Sequence, residues 1–512
     1  MNQRTVNPRK VRFIRAAGII FASSLLLSAC NSNDSDGRVT LPQRFRLSQS
    51  RLSTFFEVRS GRIAIVQNDG NVVLTDQTGE KTVALTDDAG AAVLQDRSGS
   101  VSTRYVLPLW SPDAANLALL ELRAAQPFTS QVRFDGALGV FVEAQPGSVM
   151  AEQTQAGIAR RDMLETERFG FEPRRVTIEF GGRHVSSALY TVVPDGPGPL
   201  KEVWYSEDRV EYADWSPRGN ELALLTRGEE QDTVTVVGTN GGERRSIVKG
   251  SELRWDWKPD GASLLLRTDA GLSVRNAATG ESEVMLPETD STAMPQYAPD
   301  GSAMVVARVR DGETTLSLAD AAGVVQRDLA TVRGDVRFVW SPKSDAVAFV
   351  TQEDGRAAGP LRIVAAAGGD ARLLSATPVV GFFWSPDGTH IAAFSPLDMS
   401  ALVDGDETPS AVSESSTNPM VVQTIDVAQG VSSVRRLIYV EPSFRFLALL
   451  ADFDRYAHSL TIWSPNSRRL VVPFTVGVGE GGSADYIVET EASGSIWPRV
   501  LGEGSLAAWS PR

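Results

Sequence analysis

One short phrase recurs eight times along this chain and restricts its fold more than any other feature: an aromatic residue, then a small or basic residue, proline and a polar turn residue. The copies are Trp110-Ser111-Pro112-Asp113, Trp215-Ser216-Pro217-Arg218-Gly219, Trp257-Lys258-Pro259-Asp260-Gly261 and Tyr297-Ala298-Pro299-Asp300-Gly301. They continue as Trp340-Ser341-Pro342, Trp384-Ser385-Pro386-Asp387-Gly388, Trp463-Ser464-Pro465-Asn466 and Trp509-Ser510-Pro511. The aromatic-to-aromatic intervals are 105, 42, 40, 43, 44, 79 and 46 residues. Five of these match the length of one four-stranded propeller blade, so the two long ones require insertions or hidden degenerate blades.

Each phrase has the chemistry of a hairpin turn. Proline sets φ at about −65° in the second turn position, Asp or Asn bonds its own backbone, and Gly accepts the positive φ that reverses the chain. The aromatic ahead of it ends one strand and is placed to pack between neighbouring blades. Apolar strands follow, at 221–226 (ELALLT), 262–267 (ASLLLR), 303–307 (AMVVA) and 346–350 (AVAFV). A further strand, as at 233–237, and another, as at 244–248, complete a pattern A to D in which the phrase joins A to B. The expected fold is all-β: a β-propeller over residues 51–512 with eight four-stranded blades, seven or nine being the alternatives.

The termini support closure. Residues 506–509 form a strand A with nothing behind it, while 62–66 (RIAIV), 71–75 (NVVLT) and 81–85 (KTVAL) look like B, C and D without the phrase in front. Joining them makes one blade from both ends and removes an open sheet edge. Residues 54–58 (TFFEV) compete for the same strand A position.

The phrase W-S-P-D-G before an apolar strand is similar to the TolB-like propeller repeat of envelope proteins and of the propeller domains of prolyl oligopeptidase relatives. The resemblance covers about residues 55–512. It implies the fold but no single function, because such propellers serve many roles. TolB itself has fewer blades and a separate N-terminal domain for which this chain has no room, so its Tol-system partners are not carried over.

The first thirty residues stand apart. Arg4, Arg9, Lys10, Arg12 and Arg15 precede an acid-free apolar run at 16–27, the layout of a secretory signal. That run is too short for the ~20 residues of a membrane span. Leu27-Ser28-Ala29-Cys30 resembles the bacterial lipobox, whose cysteine thiol receives diacylglycerol and becomes the new N-terminus. Cys30 is the only cysteine, which leaves no internal disulfide to form. The expectation is a signal peptide at 1–29, a tether at 30–50 and a lipid anchor in the bacterial envelope, on the periplasmic or extracellular side of a membrane. Losing residues 1–29 moves the formal charge from −13 to −18, which disfavours nucleic acid and anionic lipid as partners.

Strand direction alternates within a blade, so A–B and C–D turns share one face of the disc and B–C and D–A loops the other. Insertions at about 124–183 and 395–418 are both B–C loops, and residues 443–459 (SFRFLALLADFDRYAHS) form a D–A loop. All three should project from one face, which is where binding function concentrates on a rigid scaffold; tolerated surface excursions are the plainer alternative. Residues 150–169 have helical composition, and the Ser- and Glu-rich second insertion has the composition of disordered decoration. Asp452, Asp454, Tyr456 and His458 recur at every second position, which on an extended segment lines them along one side. Carboxylates and imidazole are ligands for a divalent cation, although fastening the loop to its neighbour is the commoner use, and neither metal nor cofactor is expected.

No G-x-S-x-G elbow, H-E-x-x-H, phosphate loop or C-x-x-C pair occurs, so no catalytic residue is assigned. A prolyl oligopeptidase relative would need a hydrolase domain beside its propeller, and this chain ends in its last blade. Acidic pairs such as Asp404 and Asp406 fit solvated surface better than a glycosidase dyad. The expected function is that of a non-catalytic envelope lipoprotein, monomeric, recognising a protein, peptide or glycan at its loop-bearing face or central channel. The alternative is a propeller enzyme acting on envelope glycan or peptide, with carboxylates at the channel mouth.

Overall fold

The computed structural model describes residues 61–92, 101–125, 128–135, 139–141, 174–180, 183–194, 199–228, 231–239, 241, 244–269, 271–285, 293–352, 358–397, 419–478 and 482–512. These belong to a unit spanning Ser48–Arg512. The signal segment, Cys30, the tether, residues 54–58, the segment 150–169 and Asp404 and Asp406 lie outside the described residues.

Eight antiparallel blades make up the propeller. Blade 1 joins the ends: Leu506–Trp509 is its strand A, and Ile63–Val66, Val72–Thr75 and Thr82–Ala84 are B, C and D. Ile63 pairs with Trp509 and Val66 with Leu506. Blade 2 consists of Val101–Trp110, Leu117–Ala125, Arg183–Val192 and Lys201–Ser206, with Gly90–Ala92 added beside its strand A. Blade 3 is Arg209–Trp215, Glu221–Arg227, Asp232–Gly238 and Arg244–Gly250; blade 4 is Arg254–Trp257, Ser263–Thr268, Gly271–Asn276 and Ser282–Met285. Blade 5 is Gln296–Tyr297, Met304–Arg310, Glu313–Ala319 and Val325–Arg333; blade 6 is Asp335–Trp340, Ala346–Gln352, Gly359–Ala365 and Arg372–Val379. Blade 7 is Gly381–Trp384, His390–Pro396, Met420–Asp426 and Arg435–Val440. In blade 8 the bridge from Trp463 to Leu470 stands for strand A, ahead of Arg469–Val478, Gly482–Glu491 and Arg499–Glu503.

Both long intervals are single blades with insertions. In blade 2 the B–C hairpin is still paired where it leaves the disc, at Ala125 and Arg183. Beyond it Phe128–Asp135 pairs with Gly139–Phe141 on one side and Arg174–Phe180 on the other. In blade 7, Pro396 pairs with Met420 at the base of the second insertion.

The sequence pattern follows from radial packing. Each sheet buries both faces against neighbouring blades, so inner strands are apolar without alternation: Ile63–Val66, Leu222–Leu225 and Leu264–Leu266 are all buried. The outermost strand faces solvent and reads accordingly, as in Val325–Arg333, where a single residue is fully buried. The hairpin turns have the expected geometry. Gly219 N–H donates to Ser216 O and Ser216 N–H to Glu221 O, each at 2.8 Å. The fifth residue of the phrase lies at positive φ in Gly219, Gly261, Gly301 and Gly388, and also in Ala114, Ser344 and Ser467. The turn therefore imposes the left-handed conformation even on residues that resist it.

Neighbouring blades are joined at two radii. Near the axis, the indole N–H of Trp110, Trp215, Trp340, Trp384 and Trp463 donates to Ala508, Leu109, Gln296, Val339 and Phe383 O respectively. Each acceptor is the residue just before the aromatic of the preceding blade. At the rim, Arg327, Arg372, Arg435 and Arg499 at the start of strand D donate to carbonyls of the next blade's C–D turn, at Ala367, Val427, Ser493 and Gln77.

Candidate functional site

The D–A loop between blades 7 and 8 is helical, which corrects the extended reading of Asp452, Asp454, Tyr456 and His458. Helix α1 is Phe444–Ala451 and α2 is Phe453–Tyr456. Ser443 caps α1: its Oγ accepts from Phe446 N at 3.3 Å and donates to Ser505 O at 2.6 Å. Phe446, Leu447 and Leu450 are buried, the three- and four-residue spacing of one helical face. That face lies on blade 7, where Phe446 meets Phe394 at 5.2 Å and Phe453 meets Phe382 at 4.8 Å between ring centroids. The fit is close at Gly381, whose absent Cβ would lie 3.1 Å from Phe453 Cβ. Asp452 ends α1, its N–H reaching Leu449 and Leu450 O. Apolar spacing and a cap thus outweigh the period-two polar pattern.

The four singled-out residues part company here. Asp454 accepts from Arg337 Nη1 at 2.7 Å. Asp452 shares that nitrogen at 3.3 Å and lies 3.7 Å from Arg254 Nη2. The Asp454 charge, beside that of Asp452, holds the Arg337 guanidinium well above its ordinary value. Tyr456 stands edge-on to Tyr212, centroids 5.1 Å apart. Tyr212 donates its hydroxyl to Arg455 O at 2.8 Å, and the Arg455 guanidinium lies over Tyr212 at 4.3 Å and Trp255 at 5.7 Å. His458 is exposed, yet the surrounding protein disfavours its imidazolium and lowers its pKa.

Most partners of this loop among the described residues are on or beside an innermost strand. Arg445 donates to Tyr105 O in blade 2, Tyr212 is in blade 3, Arg254 and Trp255 in blade 4, and Gln296 in blade 5 donates to Asp454 O. Arg337 is in blade 6, Phe382 in blade 7, and Ser505 precedes strand A of blade 1. The two helices therefore close the axial channel on the D–A face.

Two acids remain inside. Asp214 and Asp256, each just before the aromatic of its blade, are half-buried. Burial pushes the Asp256 carboxyl up to about 7, against the pull of backbone N–H groups including Tyr297 N, 2.9 Å from Oδ2. Burial, and then the charge of Asp256, raises Asp214 well above the carboxylate range. Trp255 Nε1, Trp257 Nε1, Gln296 Oε1 and Arg455 Nη2 are buried atoms without a hydrogen-bond partner among the described residues. No group of three or more His, Cys, Asp or Glu side chains is arranged to hold a metal among the described residues. Burial thus favours the protonated form of both acids, and the unmatched atoms are offered to water or a polar ligand.

The arginines that hold the helices were not anticipated. Their signal lies in comparing copies: Arg254 and Arg337 both stand three residues before the aromatic of their phrase.

Eight four-stranded blades, the proline hairpin at each A–B turn and closure by both termini are now all accounted for. The chain is an eight-bladed β-propeller. No family model matches its sequence, and no curated protein matches it. Solved structures similar to this propeller include TolB from Acinetobacter baumannii, at 16% identity over 80% of this chain and 82% of that one, with a TM-score of 0.33. The putative TolB from Agrobacterium tumefaciens is 16% identical over 65% and 96%, TM-score 0.30. An oligogalacturonate lyase from Vibrio parahaemolyticus is 14% identical over 78% and 95%, TM-score 0.40. Likeness at this level concerns the fold and transfers no activity to the propeller described here.

Proposed function

We propose that this propeller is a lipid-anchored, non-catalytic module of the bacterial envelope, attached through Cys30, that recognises a protein, peptide or glycan on its B–C and D–A face. The observation that carries the reading is the closure of the channel there by α1 and α2, fastened to strand A of blades 2 to 7. A closed mouth leaves the raised loops of that face, the sheet beyond blade 2 above all, as its recognition surface. The lipobox and the acidic mature charge support export and argue against nucleic acid.

The test follows from the pairing of Ala125 with Arg183. Replacing residues 126–182 with a two-residue turn leaves the blade 2 hairpin intact. Cross-linking in intact cells from photoreactive residues on the B–C face should trap a specific partner with the full chain and lose it with the shortened one. Equal trapping by both would reject the reading.

Asp214 and Asp256 favour a second reading, a glycan- or peptide-cleaving propeller, because a carboxyl protonated near neutrality is the general acid such chemistry needs. Turnover of an envelope glycan that disappears in Asp256→Asn would establish it.

A further inference from the structure

The described chain begins at Gly61, and its surroundings locate that entry. A Cβ on Gly61 would lie 2.8 Å from Pro465 Cγ and 2.9 Å from Ser510 Oγ, and Arg62 N–H donates to Ser510 Oγ. Pro465 and Ser510 belong to the A–B turns of blades 8 and 1. The chain therefore enters on the face opposite the closed channel mouth.

Two C–D turns of that same face, in blades 7 and 8, differ from the rest of the acidic surface. Residues 427–434 (VAQGVSSV) and 492–498 (ASGSIWP) carry no charge. Val431 is 52% exposed, Ile496 55% and Trp497 64%. The exposed Arg435, Arg436 and Arg499 follow them directly. Arg435 Nη1 donates to Ser493 O at 3.0 Å and so binds one turn to the other. Uncharged turns that present exposed tryptophan and isoleucine and are followed by arginine have the chemistry of a bilayer interface more than of bulk water. Cys30 lies 31 residues before Gly61; a flexible linker of that length would have an average span of about 30 Å, which favours the face on which the described chain begins as the one nearer the anchor.

From this we infer that the blade 7 and blade 8 C–D turns rest on the bilayer that carries the anchor, with Ile496 and Trp497 in its interface and the closed face turned away. The inference rests on the lipid-anchor reading. No mature cysteine other than Cys30 exists, so Ser495→Cys and, as control, Asp311→Cys in the exposed B–C turn of blade 5 each add one labelling site for a nitrobenzoxadiazole dye. The acylated full chain is placed in phosphatidylcholine vesicles containing a doxyl-labelled lipid. Dye at 495 should shift its emission by about 10 nm or more to the blue and be quenched, dye at 311 should do neither, and adding Ile496→Ser with Trp497→Ser should abolish the effect. Unquenched, water-like emission at 495 overturns the inference. An intact mass of the mature chain is measured in parallel. If the lipid is present and 495 stays aqueous, only the membrane contact fails; if the lipid is absent, the anchor reading fails and takes the inference with it.

Discussion

The indole N–H of Trp215 donates to the carbonyl of Leu109, 2.9 Å away and 106 residues earlier in the chain. Four other blade junctions repeat the bond, which gives the recurring tryptophan a polar duty beyond packing. Trp257 departs from this, its Nε1 being without a partner among the described residues.

That contrast yields a paired test. Trp215→Phe removes a buried hydrogen bond, for a loss of about 1–2 kcal/mol beyond the smaller ring. Trp257→Phe removes the same volume without that bond. Denaturant midpoints should therefore fall further for Trp215→Phe, and equal midpoints would contradict the role assigned to the indole.

The A–B turns offer a gain instead. Ala114 sits at φ 59° where four other copies have glycine. Ala114→Gly relieves about 1 kcal/mol of left-handed strain, offset partly by chain entropy, and should raise stability by about 0.5 kcal/mol. Ser344→Gly should not gain, because Ser344 Oγ accepts from Asp300 N at 3.1 Å and ties two blades. Thermal melts of both variants decide the matter.

Closure of the channel depends on Arg337. Its loss leaves Asp452 and Asp454 facing inward, and removing one member of a buried ion pair costs about 3 kcal/mol. Arg337→Ala should accelerate hydrogen exchange in Phe444–Ala451 far more than in Glu221–Arg227, whereas Arg337→Lys should protect α1 in part. Uniform exchange across both elements would show that the helices do not depend on this arginine.

Stability should fall as pH rises toward neutrality. A carboxyl whose folded pKa is raised binds its proton more tightly folded than unfolded. The contribution of Asp256 is thus complete below about pH 4 and is lost as pH rises through about 7. Asp387 behaves oppositely: burial opposes ionisation, but hydrogen bonds from Ser385 and Thr389 outweigh it and hold the carboxyl low. Its contribution is present above about pH 4 and disappears only as pH falls below that, so the two windows separate. Melting temperatures between about pH 4 and 8 should decline in the parent chain and decline less in Asp256→Asn; identical slopes would remove Asp256 from the account.

The sequence by itself determined the blade, its repeat length, the turn that joins A to B, the closing of the disc by both ends and the blades that carry insertions. All of these depend on consecutive residues: proline and glycine act on their own backbone, and a strand buried on both faces is apolar along its whole length. Tertiary structure alone decided the plugged channel, the arginines along the rim and the desolvation of the two acids inside. Asp454 meets Arg337 across 117 residues and Gln296 across 158, and no local period encodes such meetings. They arise because eight sheets arranged around one axis bring their inner edges together there, where low water content makes each charge depend on a partner from another blade.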